Sequence, residues 1–178
     1  MKLLGLAASN SRRSINGQLI AHAADIFTTE IEPGASAEIL DLNDYEMPIY
    51  SIDRQNEGGI PAPAQRFRDR IAAADAVILS FAEHNGTYSV AYKNLFDWAS
   101  RIDRNIYQDR PAVLFSTSPG GRGGAGVLDV ALRAAPRFGM DVRAHLAVPS
   151  FNDVFTDGKC VDPEMSRAIR AALQSLKG

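Results

Sequence analysis

The stretch AASNSRRSINGQL, residues 7–19, combines hydroxyl, amide and guanidinium side chains directly after a short apolar run. The polar residues Ser9–Ser11 follow a predicted strand, and Ser14 and Asn16 stand at or just inside the start of a predicted helix. Free backbone N–H groups and the positive end of a helix dipole favour a phosphate there. An ordinary helix cap explains the same residues equally well. Because the G-x-x-x-x-G-K-[ST] pattern is absent, a monophosphate is a better match than a nucleoside triphosphate.

A second polar segment, residues 81–101, reads FAEHNGTYSVAYKNLFDWASR. Asn85–Gly86 predicts a sharp turn at which backbone groups face a flat ligand. Glu83 and His84 have side chains that suit proton transfer, although a lone histidine beside an acid on a loop is more often a surface contact. The aromatic residues between Tyr88 and Trp98 have helical spacing, which predicts buried packing or a contact with a partner subunit.

A third segment, residues 116–128, reads STSPGGRGGAGVL. Gly121, Gly123 and Gly126 satisfy G-x-G-x-x-G, and Asp141 follows about twenty residues later, as in a dinucleotide-binding fingerprint. Its position argues against that reading, since the fingerprint belongs to the first strand-to-helix turn and its acid follows the next strand. We expect the glycines to let the backbone lie close to a planar ligand, with a merely flexible loop as the alternative.

Apolar runs alternate with segments of helical spacing along the chain, which is typical of an open, doubly wound α/β sheet with helices on both faces. Ligands of such sheets bind beyond the carboxyl ends of the strands, where all three polar segments would lie. The segment Asp44–Pro63 contains three prolines and reads as a long irregular loop with a functional role. The predicted strands are Lys2–Ala8, Ala37–Asp41, Ala76–Ser80, Ala112–Ser116 and Val142–Leu146, and the predicted helices are Ile15–Thr28, Ala64–Ala74, Ser89–Arg104, Val127–Phe138 and Glu164–Leu176.

The composition is that of a globular protein, with 46% hydrophobic and 22% charged residues, and the length predicts one domain over residues 1–178. A formal charge of −2 provides no field that recruits nucleic acid or an anionic membrane. Cys160 has no second cysteine to pair with, which fits a reducing compartment. Since the sequence also shows no long apolar run and no secretory signal, we expect a cytoplasmic protein.

Taken together, the three segments resemble the NAD(P)H-dependent FMN reductase family of flavodoxin-like proteins, which includes quinone, chromate and azo-dye reductases. The first motif of that family is G-S-x-R-x-x-S-x-N. This sequence matches it at Ser9, Ser14 and Asn16, and has Ala8 and Ser11 in place of the glycine and the arginine.

The second motif of the family, P-E-Y-N-G-S, corresponds to Ala82–Thr87, with His84 in place of the tyrosine. The K-N and D-W pairs that follow it in the family are present at residues 93–94 and 97–98. The serine- and glycine-rich third element corresponds to Ser116–Gly124. The resemblance therefore covers most of the chain.

The resemblance implies a five-stranded parallel sheet of order 2-1-3-4-5, FMN as cofactor and NADPH or NADH as co-substrate. It implies a ping-pong cycle in which hydride passes to FMN and then to a flavin, quinone or similar small-molecule acceptor, with no catalytic side chain and no metal. It also implies a homodimer or homotetramer, for which the helix Tyr88–Trp98 and the segment Asp44–Pro63 are the expected contacts. The FMN-binding residues that it implies are Ser9, Ser11, Ser14, Ile15 and Asn16 around the phosphate, and Glu83, His84, Asn85, Gly86, Ser118, Pro119, Gly120 and Gly121 around the ring.

Two other classes of function stay open. A flavodoxin-like electron carrier would bind FMN without using NAD(P)H, but such carriers are usually strongly acidic. A relative that has lost FMN would serve as a binding or regulatory module, because a fold does not fix a function. The departures from the family motifs at Ala8, Ser11, Ala82 and His84 keep this second class in view.

Overall fold

One parallel sheet forms the centre of the protein in a computed structural model that describes residues 1–177. Two short antiparallel hairpins accompany the sheet. The sheet strands are β1 (Lys2–Ala8), β2 (Ser36–Leu40), β3 (Ala76–Phe81), β6 (Arg110–Thr117) and β7 (Met140–Val148), and the hairpins are β4 (Glu83–His84) with β5 (Thr87–Tyr88) and β8 (Phe155–Thr156) with β9 (Lys159–Cys160).

The strands of the sheet lie in the order β2-β1-β3-β6-β7, and every neighbouring pair is parallel. This confirms the predicted order 2-1-3-4-5 and the doubly wound class. All six residues of β3 are buried, because the central strands of a parallel sheet are covered on both faces. That burial explains why this strand is a continuous apolar run rather than an alternating one.

Helices cover both faces of the sheet. On one face Ile20 of α1 (Ile15–Ile26) and Ile169 of α7 (Pro163–Gln174) pack in a cluster with Ile78 of β3. On the other face Phe67 of α3 (Ala62–Ala72) and Leu128 of α5 (Ala125–Ala134) pack in the cluster that includes Leu79. None of the helices within residues 1–177 is long and apolar enough to cross a membrane. The helices are α1 (Ile15–Ile26), α2 (Ile52–Gly58), α3 (Ala62–Ala72), α4 (Val90–Ile102), α5 (Ala125–Ala134), α6 (Phe151–Val154) and α7 (Pro163–Gln174).

The prediction that Asp44–Pro63 is one long irregular loop is wrong in part, because this segment contains α2 and the start of α3. Ser51 begins α2 by accepting a hydrogen bond from the backbone N–H of Arg54. Pro63 is compatible with the first turn of α3, where a backbone N–H has no helical partner. None of the α2 side chains is buried, so the apolar periodicity that predicts a helix is missing from this stretch.

The first predicted helix changes character at its carboxyl end. The segment Ile15–Thr28 is α-helical to Ile26 and continues as a π-helical turn over Phe27–Ile31. The side chains of Thr28 and Thr29 donate to backbone carbonyls of the preceding turn, a contact that disturbs regular helix geometry.

The aromatic residues of the second polar segment lie in the core of the chain itself. Tyr92 and Trp98 are 1% exposed, and the hydroxyl groups of Tyr92 and Tyr107 are 2.7 Å apart in a hydrogen bond. Burial raises the pKa of Tyr88 to about 12. The prediction of buried packing is therefore confirmed for these side chains.

His22 joins α1 to the β8–β9 hairpin, and we predict that it makes the stability of the protein depend on pH. The Nε2 atom of His22 accepts the backbone N–H of Cys160 at 3.4 Å, and the ring meets Phe155 edge-on. Burial lowers the pKa of His22 below its ordinary value of 6.5; Arg170 and Lys159 act in the same direction, and Asp25 and Glu30 oppose it.

Because the unfolded chain takes up this proton at a higher pH than the folded chain, the stability contributed by neutral His22 is complete above pH 6.5 and declines as the pH falls toward the lowered folded pKa. Urea unfolding at pH 8 and pH 5.5 should show this loss in the wild type and a smaller loss in His22→Gln, which keeps an acceptor that does not titrate. The matched control is His145→Gln at an exposed position of β7, which should retain the wild-type loss.

Candidate functional site

The three polar segments meet at the carboxyl edge of the sheet, as expected for a parallel α/β fold. They surround a cavity of about 230 Å³, which we call the loop cavity. Its walls come from three places: the first polar segment, which follows β1 and is called the first loop; the β4–β5 hairpin after β3; and the third polar segment, which follows β6 and is called the third loop. The lining residues are Ser9, Ser11, Arg13, Ser14, Ile15, Asn16, Ala82, Glu83, His84, Thr117, Ser118 and Pro119.

The first loop presents backbone donors that the chain itself does not use. Ser11 donates its N–H to the Ser9 hydroxyl and Ser14 donates to the Ser11 carbonyl. Within the described part of the chain, the N–H groups of Arg12, Arg13, Ile15 and Asn16 have no hydrogen-bond acceptor. Together with the start of α1, these groups form a concentration of positive partial charge.

Ser14 caps α1 and keeps a further donor. Its Oγ accepts the backbone N–H of Gly17 at 3.1 Å, so the cap predicted for this position is present. The hydroxyl proton is not needed for that bond and is free for an acceptor in the loop cavity. The cap and the phosphate interpretations are therefore compatible in this structure.

The side chain of Asn16 faces the sheet rather than an open phosphate site. Its Oδ1 accepts from the Ser80 hydroxyl at 2.6 Å and from the backbone N–H of Thr117 at 3.3 Å, and its Nδ2 donates to the Thr117 carbonyl. The side chain is 3% exposed. Asn16 thus joins α1 to β3 and β6 through its side chain, and its backbone N–H remains for a ligand.

The second polar segment folds into the β4–β5 hairpin. Asn85 and Gly86 have φ angles of 52° and 80°, as a type I′ hairpin turn requires. His84 lines the loop cavity and is exposed, whereas Asn85 and Gly86 lie at the hairpin tip, outside its lining. The hairpin is anchored by Ser89, whose hydroxyl donates to the carbonyl of Ala8 at 2.8 Å.

Glu83 has a structural partner that explains its carboxylate. Its Oε2 accepts the backbone N–H of Val127 at 2.9 Å, in the first turn of α5. Gly124 precedes this helix and supplies no side-chain cap. Glu83 therefore caps α5 from the hairpin, where a negative charge is favoured by the helix dipole, and it does not stand free as an acid or base.

Removing this cap should destabilise the protein. We expect Glu83→Ala to lower the free energy of unfolding by about 1 kcal/mol, the usual cost of a lost helix cap, and Glu83→Gln to lose less because it keeps an acceptor oxygen. Urea unfolding followed by circular dichroism measures both. Glu57→Ala, at an exposed position of α2, is the control and should leave stability unchanged. An equal loss in the control and in Glu83→Ala would contradict the capping role.

Gly123 and Gly126 of the third loop allow close packing within the protein. A Cβ added at Gly123 would lie 2.7 Å from the backbone of Val148 and Pro149, and one at Gly126 would lie 2.9 Å from Glu83. The close approach at Gly123 and Gly126 is therefore to the protein itself, whereas a Cβ added at Gly121 would meet no atom within 4 Å. Ser118 and Pro119 line the loop cavity, whereas Gly120 and Gly121 follow outside its lining.

The lining of the loop cavity also includes Arg13, Ala82 and Thr117, which were not among the predicted binding residues. Thr117 ends β6 and Ala82 directly follows β3. Since ligands of such sheets lie beyond the strand ends, the last residue of each strand was a usable signal. Arg13 lines the same cavity as Ser11, the residue that stands at the arginine position of the family motif.

Several solved structures share this fold. The flavoenzyme NAD(P)H:(acceptor) oxidoreductase FerB from Paracoccus denitrificans superposes with a TM-score of 0.75 at 22% sequence identity, over 98% of this chain and 94% of FerB. An azoreductase, AzrA, gives a TM-score of 0.66 at 16% identity, over the full length of both chains. At these identities the similarity establishes the flavodoxin-like fold alone.

Sequence comparison is more specific. The probable NADPH:quinone oxidoreductase 1 of Oryza sativa subsp. japonica is 29% identical over 99% of this chain and 90% of its own length. The NAD(P)H-dependent FMN reductase of Pseudomonas aeruginosa is 30% identical over 99% of this chain and 94% of its own length. The family model described as NADPH-dependent FMN reductase matches residues 1–153, which include all three loops around the cavity. The resemblance inferred from the loop motifs is thereby confirmed, and the chain belongs to the NADPH-dependent FMN reductase family.

Proposed function

We propose that the protein is an NAD(P)H-dependent oxidoreductase that holds FMN in the loop cavity and passes electrons to a small-molecule acceptor. The observation that carries the proposal is the first loop, whose unused backbone N–H groups point to a bound anion at the start of α1. Family membership supports the identity of the cofactor. Of the implied FMN residues, those lining the cavity are Ser9, Ser11, Ser14, Ile15, Asn16, Glu83, His84, Ser118 and Pro119.

The chemistry of the first loop fits a phosphate monoester. Four backbone donors lie between Arg12 and Asn16, the Ser14 hydroxyl keeps its proton, and Arg13 lines the same wall. Charge-assisted hydrogen bonds of this kind are stronger than neutral ones. In this proposal the loop holds the phosphate, and Arg13 supplies the charge that the motif arginine supplies in the family.

The hairpin and the third loop would enclose the ring. Glu83 and His84 form one wall of the cavity and Ser118 and Pro119 form another. A hydrogen bond to a neighbouring element holds each wall in place. Glu83 caps α5, and the Ser150 N–H donates to the Gly120 carbonyl of the third loop at 3.0 Å. When bound, FMN supplies the redox chemistry by accepting a hydride and donating electrons onward. The protein supplies position and a fixed set of dipoles.

The acceptor would approach from a neighbouring cavity of about 300 Å³, which shares His84 with the loop cavity. Its lining is partly apolar, with Met47, Ile49 and Val90, and partly polar, with Asn94. A flat, weakly polar molecule such as a quinone or a flavin suits these walls. Relatives named as quinone oxidoreductases favour the quinone class.

The test is an absorbance spectrum taken after incubation with excess FMN and desalting, followed by NADPH or NADH without oxygen. Retained flavin that bleaches supports the proposal, and parallel lines in double-reciprocal plots with a quinone would support the ping-pong cycle. Retained flavin that does not bleach would indicate an electron carrier instead. A protein that neither retains flavin nor consumes NAD(P)H when FMN is supplied would contradict the proposal in favour of an FMN-free relative.

We further propose that the protein forms a homodimer or homotetramer through the exposed apolar side chains near this cavity. Val90 at the start of α4 is 68% exposed and Ile49 is 64% exposed, and both line the same cavity. Size-exclusion chromatography with light scattering should show a smaller assembly for the double variant Ile49→Glu/Val90→Glu. Val161→Glu, at another exposed apolar position, should keep the wild-type mass. A monomeric wild type would overturn this proposal.

A further inference from the structure

A larger groove adjoins the loop cavity on the other side of α1. Its volume is about 810 Å³, within the usual range of about 300–1,000 Å³ for small-molecule sites. It runs between α1 and the end of the edge strand β2, away from the hairpin and the third loop. We call it the α1–β2 groove. Its lining residues are Ala7, Ser9, Ser11, Arg12, Arg13, Ser14, Gly17, Gln18, Ala21, Ile39, Leu40, Asp41, Leu42 and Asn43.

The α1–β2 groove and the loop cavity adjoin each other at the first loop. Four residues line both spaces: Ser9, Ser11, Arg13 and Ser14. Three of the four are serines, so the connection is bordered mainly by small side chains. Ser11 in particular stands where the family motif has an arginine. A ligand whose phosphate sits on this loop can therefore extend in both directions from it.

The floor of the α1–β2 groove is apolar and uncovered. Ile39 of β2 is 47% exposed, although it lies on the face of the sheet that α1 covers. The α1 residues that line the groove are Gly17, Gln18 and Ala21, of which Gly17 and Ala21 have too little side chain to shield the floor. The narrow space between the exposed side chain of Ile39 and the small residues of α1 suits the flat face of a purine base.

The rim of the α1–β2 groove carries charges that match a nucleotide. Asp41 directly follows β2, the position at which dinucleotide-binding folds place the acid that holds the adenosine ribose. Its Oδ1 accepts from both nitrogens of Asn43, at 2.9 and 2.8 Å, which fixes the carboxylate and leaves Oδ2 for a ribose hydroxyl. Arg12 and Arg13 lie at the loop end, where a pyrophosphate would pass.

We propose that the α1–β2 groove holds the adenosine half of flavin adenine dinucleotide, so that the protein binds FAD as well as FMN. The inference rests on the proposed function, since it takes the flavin phosphate to lie on the first loop. Because the two spaces adjoin at the loop that takes the flavin phosphate, FAD is favoured over NAD(P)H, whose pyrophosphate would have to displace the flavin phosphate to lie on the same loop.

The experiment is calorimetric titration of the flavin-free protein with FMN and with FAD. The variant Ile39→Glu places a carboxylate on the groove floor and should weaken FAD binding by about tenfold or more, equivalent to about 1.4 kcal/mol, while FMN binding stays unchanged. Ala21→Phe fills the slot from an exposed position of α1 and should act in the same direction. Val161→Glu, distant in the sequence and exposed, should change neither affinity.

A further variant addresses the connection itself. Ser11→Arg restores the motif arginine at the junction and should lower the affinity for FAD relative to that for FMN. Equal effects of Ile39→Glu and Ala21→Phe on FMN and FAD, or no effect on either, would overturn the inference. So would a higher KM for NADPH in FMN-loaded Ile39→Glu with unchanged FAD affinity, which would assign the groove to the pyridine nucleotide. Failure of the wild type to bind either flavin would instead remove the proposed function.

Discussion

Replacing Ile15 with proline should weaken FMN binding by about ten- to a hundredfold without unfolding α1. Ile15 is the first residue of this helix, where proline is well tolerated because the N–H it removes has no helical partner. Ser14 has φ −62° and ψ 122°, the extended conformation that a residue before proline requires. The substitution therefore deletes one backbone donor and leaves the loop in place.

The size of the effect follows from the charge of the ligand. A hydrogen bond to an ionised group contributes about 1.5–3 kcal/mol, and each 1.4 kcal/mol is about tenfold in affinity. Fluorescence titration with FMN measures the change. Ile15→Ala is the matched control, because it shortens a side chain that packs against the core cluster beneath α1 and keeps the N–H. If both variants bind FMN equally, the phosphate does not lie on this loop.

Replacing Gly123 with alanine should lower the free energy of unfolding by about 2–5 kcal/mol, combining left-handed backbone strain with overpacking. Gly123 has a φ of +58°, and the new Cβ would lie 2.7 Å from the backbone nitrogen of Pro149 and the carbonyl carbon of Val148. Those atoms belong to the main chain and cannot rotate away. The third loop, which is tied there by the Ser116 hydroxyl bond to the Gly123 carbonyl at 2.8 Å, would have to shift as a whole.

Gly121→Ala is the matched control for this prediction. No atom lies within 4 Å of the Cβ it would add, so we expect unchanged or slightly increased stability. Urea unfolding compares the two variants, and flavin titration shows whether movement of the third loop also reaches the proposed ring site. A loss in Gly121→Ala equal to that in Gly123→Ala would mean that the loop tolerates no side chain anywhere and that the close contact is not the cause.

Local sequence patterns were sufficient to predict the strands of the sheet and the edge at which the loops lie. β1 was predicted at its observed bounds, Lys2–Ala8, because a strand buried on both faces is a continuous apolar run in any sequence. Asn85–Gly86 predicted a sharp turn for an equally local reason, because these two residue types tolerate the positive φ angles that the turn requires. Once the strands were known, the parallel topology placed their three following loops at one edge. The family could then be recognised from the loop motifs.

Only the tertiary structure decided what the polar side chains in those loops do. Asn16 belongs to the phosphate motif in the sequence, and only the structure shows that its side chain binds Ser80 and Thr117, which are 64 and 101 residues away. Glu83 reads as a candidate acid, yet it caps a helix 44 residues later. Sequence spacing reports periodicity and turns within a few residues, whereas a side chain's hydrogen-bond partner depends on which elements the folded sheet brings beside it.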